Sequence, residues 1–283
     1  MALPPEGATI IRQSTINEFQ LCPARVGYKG AEGYLAPLGE PLTVGDSLHY
    51  MTSRHMAGDS PNDIMGTFDE WLEGKLCNEY QWSSKLIPNY GDLKKEIFDC
   101  YRLWIFQIYQ PSLSLESSVY MEQILYMCLS EAENLWLQGT PDLGILSKRL
   151  LDWKTAKSDR QWSQARADLS IQASLYLALH NAVFQEQLTK FTFAVYNRAK
   201  AEWGTFDTTR VETEQIAALY TATQYARQMK AMVFPATPVS ESYGKKQRGW
   251  HCSAKWCGAW NICEAKFLND NVDETVVAIR EWR

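Results

Sequence analysis

Two aspartates and a lysine carry the clearest chemical signal in this sequence. Asp142 follows Gly139-Thr140-Pro141, where one strand-like run gives way to the next. The following run contains Leu151-Asp152-Trp153-Lys154. Side chains alternate along an extended chain, so Asp152 and Lys154 share one face. Two carboxylates facing one point suit a hard divalent cation such as Mg²⁺ or Mn²⁺. A lysine beside them can orient a water or stabilise charge developing at phosphorus. The same spacing also arises on ordinary surface hairpins, so the company of these residues matters. Upstream, His49 falls on an expected helix after Gly45. Downstream, Gln172 and Tyr176 stand one turn apart on a helix face.

A second grouping is made of thiols. The chain has seven cysteines, and three of them, Cys252, Cys257 and Cys263, crowd into the tail beside Trp250, Trp256 and Trp260. Cys22 lies far upstream in Leu21-Cys22-Pro23. Three clustered thiols and one distant thiol can complete a four-thiolate site, suited to a [4Fe–4S] cluster or to structural zinc. Cys77, Cys100 and Cys128 sit on apolar stretches and read as buried, inert residues. Lys245, Lys246 and Arg248 form a short basic run beside Trp250, of a kind that attracts phosphates. A solvated loop would look the same. Arg25, Lys29, Arg54, Lys157 and Arg160 lie near the other motif residues and are further phosphate-contact candidates.

The elements that must position these groups follow from hydrophobic period and turn residues. Thr15-Ile-Asn-Glu18 fits a capping box and predicts a helix start near residue 15. Residues 45–57 read as a second helix. The aromatic stretch 62–110 reads as two or three helices, broken at 83–91 by Pro88 and Gly91. Residues 118–154 read as an antiparallel meander of short strands. Residues 162–185 return to helix, 191–199 to strand and 211–232 to helix, and 235–249 reads as a loop. The expected fold class is α/β: a central mixed sheet flanked by helices, with a helical insertion and a C-terminal cysteine region.

Composition bounds the remaining classes. The chain has 283 residues, 46% hydrophobic and 22% charged, ordinary for a globular protein. Its net charge of −5 excludes a whole-protein basic field for nucleic acid, while leaving room for a local basic groove. No apolar run is long enough for a membrane span. The start of the chain lacks a basic segment followed by an apolar one, so a cytoplasmic location is expected. The odd cysteine count argues against a disulfide framework.

Taken in order, His49, Asp142 after its turn, Asp152-Trp153-Lys154 and Gln172-x-x-x-Tyr176 resemble the PD-(D/E)xK nuclease superfamily, and within it the RecB-like exonuclease branch. Glu122, upstream of Asp142, is similar to an acidic residue that many members carry on the first core strand. The phrase from Ser14 to Pro23, with the tail cysteines, resembles the iron–sulfur-stapled subset that includes AddB and CRISPR-associated exonucleases, although the tail cysteines are spaced more widely here. The resemblance covers residues 14–263. It implies a restriction-endonuclease-like core with His49, Asp142, Asp152 and the carbonyl of Trp153 as ligands of Mg²⁺ or Mn²⁺. Lys154 would position or activate the attacking water, and Gln172 and Tyr176 would orient the DNA backbone or support the site. Cys22, Cys252, Cys257 and Cys263 would hold a [4Fe–4S] cluster, with zinc as the alternative. By analogy with disulfides such a staple would contribute about 5 kcal/mol.

The implied organisation is one nuclease domain over residues 1–283. It comprises N-terminal helices at 14–60 with Cys22 and His49, a helical insertion at 61–117, the nuclease core at 118–234 and the cysteine region at 235–283. The implied activity is exonucleolytic hydrolysis of single-stranded DNA in recombination, repair or phage DNA metabolism, in a prokaryotic or phage-infected cell. An endonuclease or end-trimming subunit of a larger complex, as in CRISPR spacer acquisition, and a silent DNA-binding module are the alternatives. A homo-oligomer or a recombination or CRISPR partner protein is compatible with the same residues.

Overall fold

A computed structural model of the chain describes residues 3–29, 34, 40–75, 89–113, 119–236, 240–242, 245–247, 251–252 and 257–263. The chain divides into two compact units. One comprises Met1–Leu3, Leu38–Met127 and Gln138–Leu219, the other Pro4–Pro37, Cys128–Leu137 and Tyr220–Arg283.

The first unit is built on a five-stranded mixed sheet. Its strands are β2 (Val119–Met121), β5 (Leu143–Ile145), β6 (Arg149–Ala156), β7 (Lys190–Asn197) and β8 (Glu202–Thr209), in the order β2-β5-β6-β7-β8. β6 and β7 are parallel, and the other pairs are antiparallel. The parallel pair requires a crossover, which α7 (Gln164–Asp168) and α8 (Ile171–Phe184) supply. α8 is apolar all round, and Gln172 to His180 are all buried, as expected of a helix packed on more than one side. It approaches closely at Gly139, where a Cβ would lie 2.5 Å from Leu179 Cδ1 and 2.8 Å from Tyr176 Cε1.

The opposite face of the sheet meets α3 (Glu40–Met56), α4 (Pro61–Lys75) and α5 (Tyr90–Trp104). α5 runs on through a π-helical segment (Ile105–Tyr109) into α6 (Gln110–Leu113). Leu151, Trp153, Ala194 and Tyr196 point into this side and join Val44, Leu48, Met51, Phe68, Ile97 and Trp104 in one hydrophobic core. Trp153 meets Trp104 edge to face, with ring centroids 5.4 Å apart.

A polar chain ties the β5–β6 turn to α8. Ser147, at φ 59°, donates its backbone N–H (2.8 Å) to Glu186. Glu186 stands 2.9 Å from His180 Nε2, and Tyr120 donates to His180 Nδ1 at 2.9 Å. Tyr120 reaches the ring by lying over Gly144, where any Cβ would collide with it at 2.0 Å. Burial holds the His180 imidazole below its ordinary pKa of 6.5 despite Glu186. The folded state therefore resists protonation that the unfolded chain accepts. Stability is full above about pH 6.5 and falls as pH drops below it, by at most about 1.4 kcal/mol per pH unit from this group. Urea unfolding at pH 7.5 and 5.5 is expected to show a loss that His180→Gln reduces.

The second unit contains most of a three-stranded sheet, order β1-β4-β3, formed by β1 (Thr9–Arg12), β4 (Leu135–Gly139) and β3 (Leu125–Ser130). α1 (Gln13–Leu21), α2 (Pro23–Tyr28) and the later part of α9 (Glu212–Lys230) belong to it as well. Phe19 stacks on Tyr225 with centroids 4.9 Å apart, and Gly27 admits Phe234, whose Cγ would lie 2.6 Å from a Cβ there. Arg227 clasps Glu133 at 2.8 Å.

Several sequence expectations need correction. α1 begins at Gln13, with Arg12 as its N-cap and no side-chain cap bond, so Thr15 and Glu18 lie inside the helix and form no capping box. The chain arrives extended from β1, and that geometry sets the start. Residues 118–154 are no single meander: β3 and β4 join β1, while β2, β5 and β6 enter the larger sheet. The helix expected over 162–185 breaks at Leu169–Ser170 into α7 and α8. β8 was not anticipated, and the expected loop at 235–249 contains the paired strands β9 (Ser240–Ser242) and β10 (Lys245–Gln247). Of the break expected at 83–91, residues 83–88 lie outside the described residues, and Asn89 caps α5, which begins at Tyr90.

Candidate active site

The acidic site lies wholly within the first unit. Asp142 comes immediately before β5, and its Oδ2 accepts the backbone N–H of Trp153 at 2.6 Å. That bond fixes the carboxyl against the middle of β6. Asp152 and Lys154 do share one face, and their side chains form an ion pair. Phe193 and Val195 stand beside them in register on β7. From α8, Gln172 Nε2 donates to Asp152 Oδ1 at 2.8 Å. Tyr176, one turn on, is buried, with its hydroxyl in reach of Gln172 and the Thr140 backbone. That placement suits support of the site.

His49 enters from α3. Its Nδ1 lies 3.3 Å from Glu122 Oε1 and 3.5 Å from Asp142 Oδ1. Glu122 follows β2 directly with φ 43°, a left-handed backbone that is unusual for a non-glycine residue. Its N–H is held by the Asp142 carbonyl at 3.3 Å. The structure thus brings together His49, Glu122, Asp142, Asp152, Lys154, Gln172 and Tyr176, which come from four regions of the chain.

The charges are mutually dependent. Asp142 and Asp152 are 4% and 2% exposed. Burial, and then the neighbouring Asp152 charge, push the Asp142 carboxyl well above the usual carboxylate range. Burial pulls the His49 imidazole down, but Asp142, Glu122 and Asp152 outweigh it and lift it to about 9. The acids thus favour the protonated ring, whose Nδ1 faces both of them, and a metal ligated by His49 would have to displace that proton. Burial likewise opposes the Lys154 ammonium, while Asp152 and Asp142 hold its pKa above the ordinary lysine value. Lys154 is accordingly a hydrogen-bond donor here.

Two observations bear on whether a hard divalent cation could sit here. The carboxylates already recruit two cationic side chains, and Asp152 Oδ2, although ion-paired to Lys154, is buried with no aligned hydrogen bond. Oxygen and imidazole donors are the ligands such an ion takes. Among the described residues no group of three or more His, Cys, Asp and Glu is gathered into a metal cage; His49 and Lys154 supply the positive charge beside the two carboxylates.

The cysteines lie in the second unit. Cys22 forms the junction of α1 and α2, buried, and Cys263 is buried as well, while Cys252 and Cys257 are half-buried. Burial, and more weakly the neighbouring Cys22, raise the Cys257 thiol, while Arg25 acts in the opposite sense. Of the basic run, Lys245 and Lys246 lie on β10, and Arg248 is outside the described residues.

Arg210 is a residue that the sequence did not single out. It is buried, and its guanidinium donates to Ser174 Oγ (3.1 Å), Thr208 Oγ1 (2.5 Å) and the carbonyls of Ala167 (2.9 Å), Asp168 (2.7 Å) and Ser170 (3.3 Å). It thereby clamps the α7–α8 corner from which Gln172 projects. An isolated Thr-Arg-Val at a strand end gives no warning of this, because most of the partners are backbone. An open cavity of about 930 Å³ lies at the other end of β6 and β7, lined by Arg149, Lys190 and Asp207 among others, and includes none of the acidic-site residues.

No family model matches the chain, and no curated relative does. Among solved structures it is similar to a candidate exonuclease from Eubacterium rectale, at 12% identity with a TM-score of 0.55, over 83% of this chain and 89% of that one. The two share a fold. Looser likenesses are to the protein SSO0001 (15% identity, TM-score 0.45, over 93% of this chain and 89% of that one) and to an alkaline exonuclease from Laribacter hongkongensis (9%, 0.33, 47% and 67%). These last two superpose too loosely to carry a structural inference. Among the described residues no helix is long and apolar enough to cross a membrane.

Proposed function

We propose that this chain is a metal-dependent deoxyribonuclease of the RecB-like type, acting from the ends of single-stranded DNA in recombination, repair or phage DNA metabolism. The observation that carries the reading is the pairing of two buried carboxylates with cationic partners, His49 beside Asp142 and Lys154 on Asp152, with Gln172 locking the second carboxylate. The fold shared with a candidate exonuclease supports it.

Asp142, Asp152, His49 and the Trp153 carbonyl would hold Mg²⁺ or Mn²⁺. When bound, such an ion neutralises phosphate charge and makes water a stronger nucleophile near neutral pH. The chain's own groups do the positioning. Trp153 N–H and Gln172 fix the two carboxylates in single orientations before substrate arrives. Glu122 holds the His49 ring. Lys154, kept protonated, donates to the attacking water or to a non-bridging phosphate oxygen.

Cys22, Cys252, Cys257 and Cys263 would hold a [4Fe–4S] cluster as a structural staple, with zinc the other thiolate-compatible occupant. Hydrolysis needs no electron transfer, so the cluster's role would be mechanical. The end-directed part of the reading is tested with linear and covalently closed single strands labelled at either end. Mononucleotide release from the linear strand, with the circle spared, is the expected result. Cutting of the circle would make the enzyme an endonuclease.

A further inference from the structure

Beyond Lys154 the chain leaves β6 at Ala156 and passes Lys157, a 3₁₀ turn at Asp159–Gln161 and Trp162 before entering α7. This segment stays on the α8 side of the sheet. Phe193 stands in register beside Asp152, and the Trp162 ring packs on Phe193 with centroids 4.9 Å apart. The Arg166 guanidinium lies 4.9 Å from the Trp162 ring centroid. Arg166 Nη1 also donates to the Gln161 carbonyl, and its backbone N–H donates to the Ser163 cap at 3.2 Å. The guanidinium of an exposed arginine is thus held at two points and its backbone at a third, a short chain of contacts from Asp152.

The charge balance of this segment is one-sided. Asp159 is taken by Lys200 at 2.8 Å, and Asp168 by Thr208 and Gln164. Lys157, Arg160 and Arg166 have no carboxylate partner among the described residues. Two other candidate cations are spent: Lys29 pairs with Glu18 and Arg54 with Asp59. In a chain of net charge −5, three cations without a carboxylate partner in one ten-residue segment beside the acidic site favour an anion.

We propose that residues 157–166 form a phosphodiester-binding subsite next to the reacting phosphate, with the Arg166 guanidinium as its anchor; the inference rests on the nuclease reading of the neighbouring site. A guanidinium pre-set against an indole presents a planar fork matched to phosphate oxygens and loses little side-chain freedom on binding. The Trp162 ring is engaged by Phe193, Phe206 and Arg166, so the subsite reads backbone charge and not base identity.

The test is anisotropy of labelled oligothymidylate in EDTA, where cleavage is off, with wild type, Arg166→Ala and Arg166→Lys. Arg166→Ala is expected to weaken binding about tenfold and to flatten the slope of log affinity against log salt by about 0.7. Arg166→Lys recovers part of the affinity, since it keeps the charge and loses the fork. In cleavage assays the loss appears mainly in KM. Unchanged affinity and salt slope in Arg166→Ala overturn the subsite, as does wild type that fails to bind the strand. If wild type cleaves while Arg166→Ala binds as tightly, the subsite falls and the nuclease reading stands. If Arg166→Ala binds weakly but wild type never cleaves, the subsite stands and the nuclease reading falls.

Discussion

Replacing Asp152 by Asn is expected to lower DNA cleavage by about a thousandfold or more, with the fold retained. Three roles meet in this one carboxylate. Its Oδ1 is the acceptor for Gln172 at 2.8 Å, its Oδ2 is the ion-pair partner of Lys154, and it lies 2% exposed beside Asp142. Asn keeps the shape and the Gln172 bond but removes the charge that holds Lys154 and would hold the metal. Losses of this size are typical when a group serving the reacting centre is removed and the surrounding scaffold is left intact. The variant is also expected to lose any thermal shift that wild type shows on adding Mn²⁺. A variant that cuts within tenfold of wild type would remove Asp152 from the chemistry.

The largest expected effect on stability belongs to Arg210→Met. The guanidinium is buried and donates to two hydroxyls and several carbonyls, so the substitution strands a group of acceptors at once. Buried polar groups left without partners cost about 1–3 kcal/mol each, and partial relaxation with water entry limits the sum. We expect a loss of about 3–5 kcal/mol, read as a fall in Tm of roughly 10 °C. The effect reaches the site because the carbonyls of Ala167, Asp168 and Ser170 mark the corner that launches α8, and Gln172 is the second residue of that helix. Arg210→Lys keeps a cation but cannot span both hydroxyls and the carbonyls, so it should fall between the two. A melting curve of Arg210→Met that overlays wild type would contradict this account.

The acidic site was the most legible part of the sequence, for a physical reason. Its residues are paired by backbone geometry that sequence encodes directly. The period of two puts Asp152 and Lys154 on one face, and the helical period puts Gln172 and Tyr176 on another that meets it. His49 and Glu122 could be placed only by resemblance, because nothing local predicts that α3 meets the end of β2. Strand pairing was less legible. Alternation marks β3, β4, β5 and β6 equally, and it does not say that two of them leave for another sheet. β8 escaped because it is an edge strand whose exposed positions carry Glu202, Gly204, Thr205, Asp207 and Thr209, a polar run with no buried stripe to betray it. The break between α7 and α8 was hidden because apolar residues continue at helical spacing across Leu169, which is in fact 85% exposed. Arg166 and Arg210 act through a ring and through carbonyls, partners that leave no trace in residue spacing.

The measurement that bears most directly on the central claim is cleavage of end-labelled single-stranded DNA by wild-type protein purified without oxygen, in Mg²⁺ or Mn²⁺ and in EDTA. A strand shortened in either metal and untouched in EDTA is the expected result. A strand that stays whole in both metals, or that is cut equally well in EDTA, would contradict it.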